Sequence, residues 1–130
     1  TNYIVWTIMH VLYYKITFHV SLLIGQCTSF VIEQILDTLN TTGQPVDPWF
    51  FRTADGTEID LMFRYKNKLW AIEVKLTSHP SLQDFNSLNR AADLVGADKR
   101  VLVSQTTQSV IGEEHISCSL PELLKMFVKP

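Results

Sequence analysis

The stretch Gly56-Thr57-Glu58-Ile59-Asp60-Leu61-Met62-Phe63-Arg64-Tyr65-Lys66-Asn67-Lys68-Leu69-Trp70-Ala71-Ile72-Glu73-Val74-Lys75-Leu76 reads as two short alternating strands joined by a polar turn. In the first arm Ile59, Leu61 and Phe63 fall on one face, with Glu58, Asp60 and Met62 on the other. In the second arm Trp70, Ile72, Val74 and Leu76 oppose Ala71, Glu73 and Lys75. The charged groups therefore share a side. If Lys66-Asn67 form a two-residue loop, Asn67 takes the positive φ that asparagine tolerates. The pairs then run Tyr65 with Lys68, Phe63 with Trp70, Asp60 with Glu73 and Glu58 with Lys75.

Directly opposed side chains in an antiparallel pair have Cβ atoms roughly 4.5 to 5.5 Å apart, and like charges placed there destabilise the sheet. Asp60 against Glu73 thus calls for a cause. One reading is a hard divalent cation such as Mg²⁺, which binds through one or two carboxylates, water and substrate phosphate oxygens. Lys75, two residues from Glu73 on the same face, would stabilise developing negative charge or orient an attacking water. The other reading is an ordinary polar outer face, with a Glu58–Lys75 cross-strand ion pair and with Asp60 and Glu73 in solvent.

Glu58-Ile59-Asp60, a short turn, and then Glu73-Val74-Lys75 inside an apolar strand resemble the core motif of the PD-(D/E)xK nuclease superfamily. The wider text runs from Phe30-Val31-Ile32-Glu33 through Phe51-Arg52-Thr53 to Asn89-Arg90. It looks like the uncharacterised nuclease-like C-terminal domain that follows an AAA-type ATPase module in many prokaryotic proteins. The resemblance covers roughly residues 25 to 125. It implies an α/β (α+β) fold with a restriction-endonuclease-like core: a helix, a three-strand antiparallel meander, a second helix and a parallel strand. It also implies Asp60 and Glu73 as Mg²⁺ ligands, Lys75 as a catalytic residue, and an assisting glutamate on the first helix, for which Glu33 is the candidate. The resembling domains usually carry an earlier acid near the start of that helix, where this chain has Thr28. DNA is the implied substrate, and a partner protein or an ATPase module the implied protein partner.

At 130 residues the chain is long enough for one domain that buries about two-thirds of its unfolded surface. Apolar residues make up 46% and charged residues 18%, a globular rather than a disordered balance. A net charge of −2 excludes nucleic-acid coating through overall charge, so any such binding needs a local patch. Arg52, Arg64, Lys66, Lys68, Lys99 and Arg100 are the candidate phosphate contacts. Cys27 and Cys118 are too few for a disulfide framework and lack zinc spacing, which fits free thiols in a reducing cytoplasm.

Residues 1–24 form an N-terminal segment of no clear assignment ahead of a nuclease-like domain over 25–130. Ile4 to Ile24 is apolar, but Lys15 at its centre, with His10 and His19 either side, argues against a membrane span. Lys15 to Leu22 alternates as a strand does. Thr28 or Ser29 caps a helix to about Leu39 with Ile32, Ile35, Leu36 and Leu39 buried. Asn40 to Pro48 is a loop, and Trp49 to Thr53 a first strand.

After Lys75 the period changes. Ser81 and Asp84 form a capping box, Leu82, Phe85, Leu88, Ala92 and Val95 follow at helical spacing, and Gly96 ends the helix. Val101 to Ser104 is then a buried strand parallel to the Glu73 strand. Gln105 to Gly112 reads as a polar connection, Glu113, Glu114 and His115 as a solvated turn, and His79 as a surface residue in the loop past the Glu73 strand. His115 to Cys118 reads as a brief edge strand, and Ser119-Leu120-Pro121-Glu122 as the start of a last helix.

There is no Gly-x-x-x-x-Gly-Lys-[Ser/Thr] loop and no Gly-x-Gly-x-x-Gly fingerprint, so the sequence offers no nucleotide-cofactor site of either kind. No Gly-x-Ser-x-Gly elbow supports serine hydrolase chemistry. Two functions compete: Mg²⁺-dependent DNA cleavage, and a non-catalytic interaction domain that keeps the nuclease fold.

Overall fold

The computed structural model describes residues 28–128. The strand pattern at Lys15–Leu22, the membrane question over Ile4–Ile24 and Cys27 lie outside the described residues. Helix α1 (Thr28–Thr41) leads to β1 (Trp49–Arg52), β2 (Glu58–Tyr65) and β3 (Lys68–Val74). Helix α2 (Leu82–Val95) follows, then β4 (Lys99–Val103), β5 (Val110–Ile111), β6 (His115–Cys118) and α3 (Leu120–Val128). The strands form one mixed sheet in the order β1-β2-β3-β4-β6-β5. β1 and β3 flank β2 antiparallel, β4 runs parallel to β3, and β6 parallel to β4.

The hairpin register is the one its alternation predicts, from Tyr65↔Lys68 through Phe63↔Trp70 to Leu61↔Ile72. Lys66 as well as Asn67 has positive φ, at 50° and 62°. That is the backbone of a tight turn whose twist matches the flanking strands. Left-handed backbone costs a side chain with a Cβ roughly 1 to 2 kcal/mol, and asparagine offsets part of this through local hydrogen bonding. Asn67→Val should therefore lower the urea-unfolding free energy by about 1–2 kcal/mol, while Asn67→Gly stays close to the parent. A valine variant of unchanged stability would mean the turn is not built this way.

Two apolar layers sandwich the sheet. On one face Phe30, Val31, Ile35 and Leu39 of α1 and Leu120, Leu123 and Phe127 of α3 pack on Leu61, Phe63, Trp70, Ile72 and Val74. On the other, Ala91 and Ala92 of α2 pack on Met62, Leu69, Ala71 and Ile59. Small residues on α2 let this helix lie close to the strands. Its start is the predicted capping box, Ser81 with Asp84, and its end is Gly96 at φ 70°.

Several expectations are corrected here. The alternation puts Met62 on a charged outer face, but α2 covers that face and Met62 is buried. Ile59 does not share a layer with Leu61 and Phe63, because β2 carries a bulge against β1. Phe51 pairs with Ile59 and Trp49 with Met62, so two steps along β1 match three along β2. Ile32 and Leu36 only border the core, while Phe30 and Val31 enter it. Leu82, at the first turn of α2, is exposed rather than buried. His115–Cys118 is an inner strand between β4 and β5, and the outer position belongs to Val110–Ile111 within the supposed connection. No helix among the described residues is long and apolar enough to cross a membrane.

Candidate metal centre

The β2–β3 ladder stops at Leu61↔Ile72, one pair short of Asp60 and Glu73. Beyond it, the Asp60 carboxylate takes the place of a main-chain acceptor: its Oδ2 accepts the Val74 N–H at 2.9 Å. The bulge in β2 displaces the main chain there, and the short Asp side chain closes the gap. One acid is thus tied to the strand that carries the other. Glu58, Asp60 and Glu73 each present an oxygen, all within 4.8 Å of one another.

Glu73 is the unusual member. It is only 7% exposed, because α2 closes over its side of the sheet. Its Oε1 lies 3.5 Å from Lys75 Nζ, while its Oε2 is buried with no hydrogen-bond partner among the described residues. Burial first, and then the charge of Asp60, push its carboxyl up to about 7, with Lys75 opposing. Asp60 is also raised, chiefly by burial, against the pull of the Val74 N–H. At the exposed rim, Asp55 is held below the usual carboxylate range by hydrogen bonds, first that from the Thr53 hydroxyl and then that from the Thr57 N–H.

A buried carboxylate oxygen without a donor is costly, and so are three acids in mutual range. A cation relieves both. The donor set is all oxygen with neither His nor Cys, which suits a hard ion such as Mg²⁺, Mn²⁺ or Ca²⁺ over zinc or copper.

The ordinary polar-face reading is overturned in both its parts. Glu73 does not point into solvent, and Lys75 pairs with Glu73 rather than with Glu58. Glu58 pairs across to Arg52 of β1, 3.5 Å away, because the bulge puts Arg52 directly opposite it. Glu33, half-buried on α1, is not one of the three converging carboxylates; Glu58 holds the third place. Glu58 was legible as the i−2 neighbour of Asp60, although the expected cross-strand pair assigned it to Lys75.

Glu58 and Glu73 open onto a pocket of about 250 Å³ whose far wall is α2, through Ser87 and Arg90. A larger hollow of about 380 Å³ lies elsewhere along α2, beside Arg100, His79 and His115. It has no carboxylate in its lining, and Arg100 is already paired with Asp93. Cys118 is fully buried, which pushes its thiol up to about 11 and leaves it chemically quiet.

No curated protein and no solved structure matches the chain. The model of a domain family of unknown function, DUF4143, matches residues 27–123, a span that holds α1, the whole sheet and all three acids, and the chain belongs to that family.

Proposed function

We propose that this domain hydrolyses phosphodiester bonds in DNA at the three-carboxylate pocket, with Mg²⁺ as its cofactor. The observation that carries the reading is the orphaned, buried Glu73 Oε2 beside Asp60 and Glu58, with Lys75 two residues along the same strand. The resemblance of Glu58-Ile59-Asp60 and Glu73-Val74-Lys75 to the PD-(D/E)xK motif supports it. So does the order of a helix, three antiparallel strands, a helix and a parallel strand, which a restriction-endonuclease-like core requires. DUF4143 domains sit in AAA-type ATPase settings, which fits a domain that works beside such a module.

Asp60 and Glu73 hold the ion, and Glu58 completes the set. When bound, the ion supplies charge neutralisation at the phosphate and a more acidic water. Lys75, partly exposed and tethered at Glu73, lies beside the ligands, where its ammonium stabilises the negative charge that builds on the phosphate. In the hydrolysis a water oxygen bonds to phosphorus and the bond to one ester oxygen breaks. One proton of the water ends on the departing hydroxyl and the other in solvent.

The test is cleavage of linear and branched DNA with and without Mg²⁺. Lys75→Ala should cut about 100-fold more slowly while still binding the ion. An unchanged rate in that variant would remove Lys75 from the chemistry. A stable protein complex in the absence of any DNA affinity or cleavage would favour the interaction-domain reading, toward which Thr28 in place of the earlier acid already leans.

A further inference from the structure

The acids are one wall of the pocket; the other is less expected. Ser87 and Arg90 stand three residues apart on α2 and so share a helix face, which lines the same pocket as Glu58, Glu73 and Lys75. Arg52, beside the acids, is engaged with Glu58. Lys75 is held by Glu73. Arg90 alone among these bases makes no side-chain ion pair or hydrogen bond within the described residues, although it borders a pocket rich in carboxylates. An exposed guanidinium with five free donors, held across a gap from a cation site, is suited to an oxyanion that fills the gap.

Charge decides when that oxyanion enters. Asp55, Glu58, Asp60 and Glu73 stand against Arg52, Lys75 and Arg90, a formal balance of −1 when all are ionised. A phosphodiester is repelled by that balance and admitted once a divalent ion cancels it. We propose that Arg90, with the Ser87 hydroxyl beside it, binds the phosphodiester that enters the acid pocket, gripping it from α2 while an ion held by the carboxylates would meet its opposite side. This rests on the nuclease reading and adds to it a residue from outside the acid-turn-ExK motif. It also makes DNA affinity conditional on the ion.

The experiment is fluorescence anisotropy of a short DNA duplex with Ca²⁺ as a probe ion, over a series of salt concentrations, for the parent, Arg90→Ala, Arg90→Lys and Ser87→Ala. Thermal unfolding with and without Ca²⁺ runs alongside. Arg90→Ala should bind about 10-fold more weakly and lower the slope of log affinity against log salt by about 0.9, the signature of one lost phosphate contact. Arg90→Lys should restore the slope but not the full affinity, since lysine keeps the charge and loses the fork. The Ca²⁺-induced thermal shift should be the same in all four proteins, which separates phosphate binding from damage to the ion site. If the parent binds DNA and Arg90→Ala matches it in affinity and slope, the assignment of Arg90 is overturned and the nuclease reading stands. If the parent binds no DNA with the ion present, both fall together.

Discussion

Glu73→Gln should make the metal-free domain more stable at pH 8, and should at the same time abolish its stabilisation by Mg²⁺. The first effect follows from burial. Glu73 holds its proton up to about 7 in the fold, against 4.5 for an ordinary glutamate. The folded state therefore binds that proton more tightly than the unfolded chain, so the contribution of Glu73 to stability is greatest below pH 4.5 and falls as pH rises to about 7. Asp60, raised in the same direction, adds to the same trend. The span is worth about 3 kcal/mol at full effect, or on the order of 10 °C in Tm for a domain of this size. Glutamine removes the buried charge but keeps the shape. The parent and the variant should converge below pH 4.5, diverge between pH 4.5 and about 7, and differ by the full amount above that.

The second effect has the opposite sign, because a ligand that binds only the folded state must stabilise it. At a concentration 100 times its Kd, that gain is about 2.7 kcal/mol. The parent should rise by about this much with Mg²⁺ at pH 8 and the variant should not. An ion bound at Glu73 would have to displace its proton, so affinity should weaken about tenfold per pH unit below pH 7. Parallel pH profiles in the two proteins would show that Glu73 is not the group that sets the pH dependence. Equal Mg²⁺ shifts would place the ion elsewhere.

The hairpin that builds this site was readable because its evidence is local. Two apolar runs of period 2 about Lys66-Asn67 allow one register, and a slip by one residue would turn Phe63 and Trp70 out of the core. The capping box at Ser81 and the stop at Gly96 were equally local. What escaped is whatever depends on a partner strand. An extra residue in β2 leaves no trace in its own alternation; it appears only when Trp49 and Phe51 of β1 are laid beside it. With that bulge unseen, Glu58 was matched to Lys75 instead of Arg52, and its place as third carboxylate was missed.

Distance in sequence hides the rest. In the sequence Arg90 stands between a phosphate contact and a plain helix-face residue, and it borders the acid pocket with Ser87 because the β3–α2–β4 crossover folds α2 back over the sheet. Glu33 rests on resemblance alone, and the first helix does not bring it into the carboxylate group. A two-residue strand such as Val110–Ile111 has no period to read, and its identity comes from hydrogen bonding to β6.

Phe127→Ala should cost about 3–5 kcal/mol in unfolding free energy, the range for truncating a buried aromatic residue. The ring is 2% exposed and is met by three others: Tyr65 and Trp70, each with its centroid 5.3 Å away, and Phe63 at 6.1 Å. Most of these pairs meet at steep angles, where ring edge and ring face attract beyond the area they bury. Within that range the lower end is expected, because the new cavity would be walled by the rings of Tyr65 and Trp70, whose buried Oη and Nε1 lack partners among the described residues. A cavity with polar groups on its wall can take up water and satisfy them, whereas an apolar one stays dry. Phe127→Leu, which fills most of the space with another apolar side chain, should cost under about 1.5 kcal/mol. Both substitutions lie in the layer of α1 and α3, across the sheet from Glu73 and α2. The Leu variant should therefore keep the full Mg²⁺ shift of the parent. If it lost that shift while remaining folded, the two faces of the sheet would be coupled, and the packing of α3 would be part of what holds Asp60 and Glu73 in place.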